Sequence, residues 1–84
     1  MAGQIDIKSD FIKTITVTEE FTMQPGSLCV GEWGSGVELQ FMSAEGYFPY
    51  EDQAPGALFR VPSSGKLRFL HTSDSSVSIR KVPS

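Results

Sequence analysis

The chain has 84 residues, a net charge of −3 at pH 7, 39% hydrophobic residues and one cysteine, Cys29. A single cysteine excludes an intramolecular disulfide and a cysteine-based zinc site, and the negative charge argues against sequence-independent binding to nucleic-acid phosphates. No apolar run approaches the roughly 20 residues of a membrane-spanning helix, so we expect no membrane partner. The length fits one domain, residues 1–84, whose small core favours self-association into a homo-oligomer.

Apolar and polar residues alternate with a period of two along almost the whole chain. This period is typical of strands with one buried face, and no segment has apolar residues at helical spacing. The predicted inward-facing residues are, in chain order, Ile5, Ile7, Ile15, Val17, Phe21, Met23, Leu28, Val30, Val37, Leu39, Phe41, Phe59, Val61, Leu67, Phe69, Val77 and Ile79.

Six turn segments separate these runs, and each is rich in glycine, proline or serine. They read QPGS, GEWGSG, SAEG, QAPG, PSSG and TSDSS. The alternating runs and the turns together predict an all-β fold, a small antiparallel β-sandwich or barrel of seven to eight strands. We expect residues 1–10 to form an N-terminal arm strand, because a terminal strand is easily exchanged between subunits.

The sequence has no catalytic signature, and we predict no enzyme activity, no cofactor and no metal site. The single histidine, His71, stands at a strand end before a serine-rich turn, where a surface histidine is expected. Two adjacent acidic pairs are present, Glu19–Glu20 and Glu51–Asp52. Neighbouring residues of a strand point to opposite faces, so these pairs are expected to be solvated surface charge.

The better candidates for a binding site are Trp33, Tyr47 and Tyr50, which lie in or beside turns, with Glu51 and Asp52 nearby. Three interpretations remain open from the sequence. The rings cover a shallow core, they contact a protein partner, or they stack on a sugar.

Charge is divided unequally along the chain. Residues 1–55 contain nine acidic and two basic side chains, whereas residues 56–84 contain one acidic and five basic ones. Either strands of the two halves lie side by side and neutralise each other, or the subunit is dipolar and docks head to tail or onto a charged lattice. Arg80 and Lys81 are the candidate basic contacts.

The order of these segments resembles the small β-sandwich virion proteins of tailed bacteriophages, especially head decoration (cement) proteins and related tail or fibre modules. The resemblance covers residues 28–82 and is carried by the stretches SGVELQFMSAEGYFPY and APGALFRVPSSGKLRFLHTSDSSVSIRKV. In that group, a strand like VELQF is followed by a glycine–aromatic hairpin, here AEGYF. The basic ending with Arg80 and Lys81 departs from the more neutral ending of the group.

The resemblance implies a head decoration protein that stabilises the capsid shell of a phage virion, commonly as a trimer bound to the major capsid protein. The alternative that it implies is a tail- or fibre-associated module that binds a host surface glycan. A third class, a bacterial scaffold protein unrelated to phage, stays open from the sequence. Trp33, Tyr47 and Tyr50 are the expected contact residues in the first two.

Overall fold

Residues 5–6 and 10–82, described in a computed structural model, form nine strands in two sheets. The strands are β1 (Ile5–Asp6), β2 (Phe11–Ile15), β3 (Glu19–Thr22), β4 (Leu28–Trp33), β5 (Val37–Ser43), β6 (Gly46–Pro49), β7 (Ala57–Arg60), β8 (Lys66–His71) and β9 (Ser75–Lys81). Strands β2 to β9 pair antiparallel, which confirms the predicted all-β sandwich. β1 pairs in parallel with β3. The predicted N-terminal arm, residues 1–10, falls largely outside the described residues, as does the predicted inward position of Ile7.

The strand order is that of a jelly roll. Sheet A has the order β1-β3-β8-β5-β6, and sheet B has the order β2-β9-β4-β7. Strands β2 and β9, β3 and β8, β4 and β7, and β5 and β6 are hydrogen-bonded pairs. From β2 to β9 the chain is therefore one long antiparallel hairpin that has been rolled up, so that successive strands alternate between the sheets except at the β5–β6 tip, which lies within sheet A.

This topology gives the sandwich two distinct ends. The loops that follow β2, β4, β6 and β8, residues 16–18, 34–36, 50–56 and 72–74, lie at what we call the upper end. The loops that follow β3, β5 and β7, residues 23–27, 44–45 and 61–65, lie at the lower end together with the last residues of β9. The two ends therefore collect residues from distant parts of the sequence.

The core lies between the sheets and is built mainly of the predicted inward-facing residues. Its buried members are Ile15, Phe21, Met23, Cys29, Trp33, Val37, Leu39, Phe41, Ala57, Phe59, Val61, Leu67, Phe69, Val77 and Ile79, with Phe11 and Tyr50 packed against them. The prediction is wrong for Val17, whose side chain is 57% exposed. β2 ends at Ile15, so Val17 falls in the turn to β3 rather than on the buried face.

The prediction is also wrong for the face of β4 that is buried. Leu28 and Val30 were expected to face inward, but Cys29, Gly31 and Trp33 do so, and Leu28 and Val30 are half-buried on the outer face of sheet B. A shift of one residue moves every side chain of a strand to the other face. Glycine at position 31 allows Trp33 to pack inward, because a Cβ atom on residue 31 would overlap the Trp33 ring.

Candidate functional site

Trp33 is a core residue and not an exposed contact residue. Its side chain is 5% exposed, and its ring centroid lies 5.5 Å from that of Phe69. The turn begins at Gly34, so Trp33 takes the last inward position of β4. The expectation that Trp33 lies outside the core is therefore wrong, because the glycine-rich segment around it was assigned entirely to a turn. Of the three interpretations, the core role holds for this ring.

Gln53, which the sequence did not single out, fixes the loop between β6 and β7. Its Oε1 accepts hydrogen bonds from Trp33 Nε1 and from the backbone N–H of Leu39, each at 3.1 Å. Its Nε2 donates to the carbonyl oxygens of Leu39 and Tyr50. One amide side chain thus joins the loop to β4 and β5, and a glutamine in a polar loop gives no signal of this role.

Tyr47 lies across the outer face of sheet A. Its hydroxyl donates to Glu20 Oε1 at 2.8 Å, although β6 and β3 are separated by β5 and β8. The Arg68 guanidinium carbon lies 4.2 Å from the ring centroid, a cation–π geometry. Burial, and then the hydrogen bond and charge of Glu20, raise the pKa of Tyr47 to about 12, against a smaller opposing effect of Arg68. The phenol is therefore neutral at physiological pH.

A network of side-chain hydrogen bonds continues from Arg68, beside Tyr47, across the outer face of sheet A. Arg68 Nε donates to Gln40 Oε1 at 2.7 Å, and Gln40 Nε2 donates to Glu38 Oε2 at 2.6 Å. Gln40 is 8% exposed, so the amide needs these partners. Glu20 stands opposite Arg68 in the register, so an acidic residue of the first half of the chain and a basic residue of the second half lie side by side here, each in contact with Tyr47. We assign this network, including Tyr47, to the stability of the fold.

Tyr50 bridges the two sheets at the edge formed by β6 and β7. Its hydroxyl donates to the Leu58 carbonyl oxygen at 2.6 Å, and its ring centroid lies 5.3 Å from that of Phe41 and 6.1 Å from that of Phe59. Burial, with a contribution from the charge of Asp52, raises the pKa of Tyr50. Phe48 on the neighbouring strand is 45% exposed, so this edge presents aromatic surface around an anchored tyrosine.

The outer face of sheet B carries an apolar and cationic row that crosses three strands. Val30 of β4 stands opposite Arg80 of β9 on one side and Leu58 of β7 on the other. We call these three residues the sheet B row. Leu58 is 53% exposed, Arg80 is exposed and Val30 is half-buried. The sequence identified Arg80 but missed Val30, because the buried face of β4 was misassigned, and it did not single out Leu58, an outward position of β7.

Charge is also separated along the sandwich, with carboxylates towards the upper end and most cations at the lower end. The carboxylates near the upper loops are Glu19, Glu32, Glu38, Glu51, Asp52 and Asp74, with Lys13 paired to Glu19. The cations near the lower end are Arg60, Lys66, Arg80 and Lys81, accompanied by Asp10 and Glu45. Charge is thus separated between the two ends, while opposite charges of the two halves lie side by side in the middle of sheet A.

The seven sequence-predicted residues consequently do not form one site. Glu51 and Asp52 are exposed in an upper loop, whereas Arg80 and Lys81 lie at the lower end of β9. Trp33 lies in the core, Tyr47 on the outer face of sheet A and Tyr50 at the β6–β7 edge. Whether these residues bind a partner stays a prediction.

Two grooves mark the ends of the sandwich. The upper groove has a volume of about 520 Å³ and is lined in part by Trp33, Glu38, Gln53, Pro55 and Thr72. The lower groove has a volume of about 390 Å³ and is lined by Gln24, Gly26, Ser27, Leu28, Arg60, Lys81 and Val82. The upper groove is therefore acidic and the lower groove cationic.

Within residues 5–6 and 10–82, no group of three or more histidine, cysteine or acidic side chains is placed to hold a metal ion. The same part of the chain has no helix long and apolar enough to cross a membrane. Cys29 is fully buried, and burial raises the pKa of its thiol, so it packs as an apolar residue. His71 Nε2 lies 2.8 Å from Asp74 Oδ1 at the upper end.

No protein-family model, curated protein or solved structure matches the chain.

Proposed function

We propose that this protein is a structural protein of a tailed-bacteriophage virion, a head decoration (cement) protein that stabilises the capsid shell and assembles in the host cytoplasm. The observation that carries the proposal is the sheet B row, in which the half-exposed Leu58 and the cation of Arg80 flank Val30 on the outer face of the sheet. The sequence resemblance over residues 28–82 supplies the setting.

The sheet B row has the chemistry of a protein-binding surface. Arginine is enriched at such interfaces, and apolar side chains that become fully desolvated there supply much of the binding free energy. Among the described side chains, ion pairs join Lys13 to Glu19 and His71 to Asp74, so Arg80 has no carboxylate partner in this part of the chain. The proposed partner is the major capsid protein, with the decoration protein acting as a trimer.

The row is also rigid before binding. β4 and β9 each pair with a strand on both sides, and β7 is held by β4 and by the Tyr50 hydroxyl on the Leu58 carbonyl. Binding through such a surface costs little conformational entropy. A surface of this kind suits a protein that reinforces a lattice without performing chemistry.

The second candidate is a tail or fibre module that binds a host glycan, and it rests on the upper groove. The groove has the volume of a small-molecule site and a carboxylate, Glu38, at its wall. However, Trp33 is 5% exposed and its ring packs on Phe69, so the groove presents no open tryptophan face for stacking. The sheet B row therefore supports the decoration proposal better.

The proposal is tested by mixing the purified protein with expanded empty phage capsids, pelleting the shells and counting the bound copies. Leu58→Ser should weaken binding by about 30-fold, because the loss of a leucine side chain that becomes buried on binding costs roughly 2 kcal/mol. Val17→Ser is the matched control, because Val17 is 57% exposed in an upper loop away from the row.

Equal capsid binding by the Leu58→Ser and Val17→Ser variants would show that the row is not the docking surface. Binding of the wild-type protein to host polysaccharide, with no binding to shells, would favour the tail module instead.

A further inference from the structure

The two ends of the molecule carry complementary charge. The lower groove lies where β4 begins and where β7 and β9 end, and it is lined by Arg60 and Lys81. The upper end carries an exposed acidic loop between β6 and β7, with Glu51 and Asp52. Neither feature is used by the capsid-binding proposal.

The cations of the groove form no ion pair, although Asp10 Oδ1 lies beside them and accepts a hydrogen bond from the backbone N–H of Lys81 at 3.3 Å. Arg60 Nη1 donates to the Gly26 carbonyl oxygen at 2.8 Å, which holds the guanidinium at the rim of the groove. Neither Arg60 nor Lys81 forms an ion pair with any described carboxylate. Leu28 and Val82 supply an apolar wall beside these charges. The groove thus suits a short acidic segment with some apolar character.

The acidic loop is ordered in advance of any contact. Gln53 ties the base of the loop to β5 through the N–H and carbonyl groups of Leu39. Asp52 Oδ1 accepts a hydrogen bond from the backbone N–H of Ala54 at 3.1 Å, which fixes the turn. Glu51 is exposed and engages no described cation in an ion pair. A loop fixed in this way loses little entropy when it docks.

We propose that the β6–β7 loop of one copy docks into the lower groove of a second copy, with Glu51 and Asp52 facing Arg60 and Lys81. The contact joins two different surfaces, so it is heterologous. Copies joined by such a contact close into a ring when the rotation that relates neighbouring copies allows it, and otherwise they form an open chain. This inference goes beyond capsid binding, because it concerns contacts between copies in the absence of a shell. It would also give the predicted homo-oligomer its interface.

The contact is electrostatic and partly solvent-exposed, so it should depend strongly on salt. Exposed charges are screened beyond about 8–10 Å at 0.1–0.15 M ionic strength. Association is therefore expected at high protein concentration and low salt, and dissociation at high salt.

The test uses sedimentation velocity with wild-type protein and two charge-reversed double variants. The first variant, Arg60→Glu with Lys81→Glu, makes the groove acidic, and the second, Glu51→Lys with Asp52→Asn, makes the loop basic while keeping the Oδ1 acceptor that fixes the turn. Each variant alone should stay monomeric, because its loop and its groove now carry the same charge. Mixing the two should restore association, with about a twofold or greater rise in mean mass, since each groove then meets a loop of opposite charge.

The matched control is Lys66→Glu with Glu45→Lys, which reverses charges at the lower end outside the groove and should leave association unchanged. Circular dichroism verifies that every variant is folded. A monomeric wild type at low salt, association that persists in both double variants, or a mixture of folded variants that stays monomeric would each overturn the proposal. The capsid-binding assay with Leu58→Ser is independent of these results.

Discussion

Replacing Trp33 by alanine should destabilise the fold severely, and it separates a core role from a contact role. The substitution removes a ring that is 5% exposed and lies 5.5 Å from the Phe69 ring, and it also removes the Nε1–H that donates to Gln53. Truncation of a buried tryptophan to alanine costs about 3–5 kcal/mol. A domain of this size has a net stability of only about 5–10 kcal/mol, so a large part of it would be lost.

Thermal unfolding followed by circular dichroism measures this cost. For a domain of 60–100 residues, about 1 kcal/mol shifts Tm by roughly 4–8 °C, so Trp33→Ala should lower Tm by at least about 12 °C. Leu58→Ala, at a surface position, should change stability by no more than about 0.5 kcal/mol. A Trp33→Ala protein with a Tm within about 4 °C of wild type, but with reduced capsid binding, would refute the core assignment and restore Trp33 as a contact residue.

Three further predictions concern the packing and the polar network. Gly31→Ala should lower the free energy of unfolding in urea by about 1–3 kcal/mol, because the added Cβ atom overlaps the Trp33 ring. This loss should be smaller in a Trp33→Phe background, and an equal loss in both backgrounds would contradict the overlap. Tyr47→Phe should cost about 1 kcal/mol in the same assay, since it removes the 2.8 Å bond to Glu20 but keeps the ring beside Arg68; no loss would show that the bond is not stabilising. In the folded protein the pKa of Tyr47 is raised from 10 to about 12, so the stabilising contribution of Tyr47 is complete below pH 10 and is lost as pH rises towards 12. The difference in free energy of unfolding between wild type and Tyr47→Phe should therefore be smaller at pH 11 than at pH 9, and a constant difference would contradict this.

The class of fold could be predicted from the sequence because alternation records which side chains are buried. Leu39, Phe59 and Phe69 were assigned to the core on that basis, and each is buried. Alternation could not predict which face of β4 is buried. Both Leu28 with Val30 and Cys29 with Trp33 offer an apolar face, and the choice depends on contacts with Phe59, Phe69 and other residues of distant strands.

The polar network and the separation of charge depend on strand order, which alternation does not specify. Tyr47 and Glu20 are 27 residues apart and meet because β6 and β3 belong to the same sheet. Likewise, Glu51 and Lys81 lie at opposite ends because successive turns of the jelly roll alternate between the two ends. Sequence reasoning identified unequal charge but could not assign it to surfaces.

The most direct measurement is an electron cryomicroscopy reconstruction of expanded empty capsids incubated with the purified protein. We predict density for the β-sandwich on the shell surface, with Arg80, Val30 and Leu58 of sheet B facing the major capsid protein. Bare shells at saturating protein concentration, or a bound sandwich whose sheet B row faces solvent, would contradict the account.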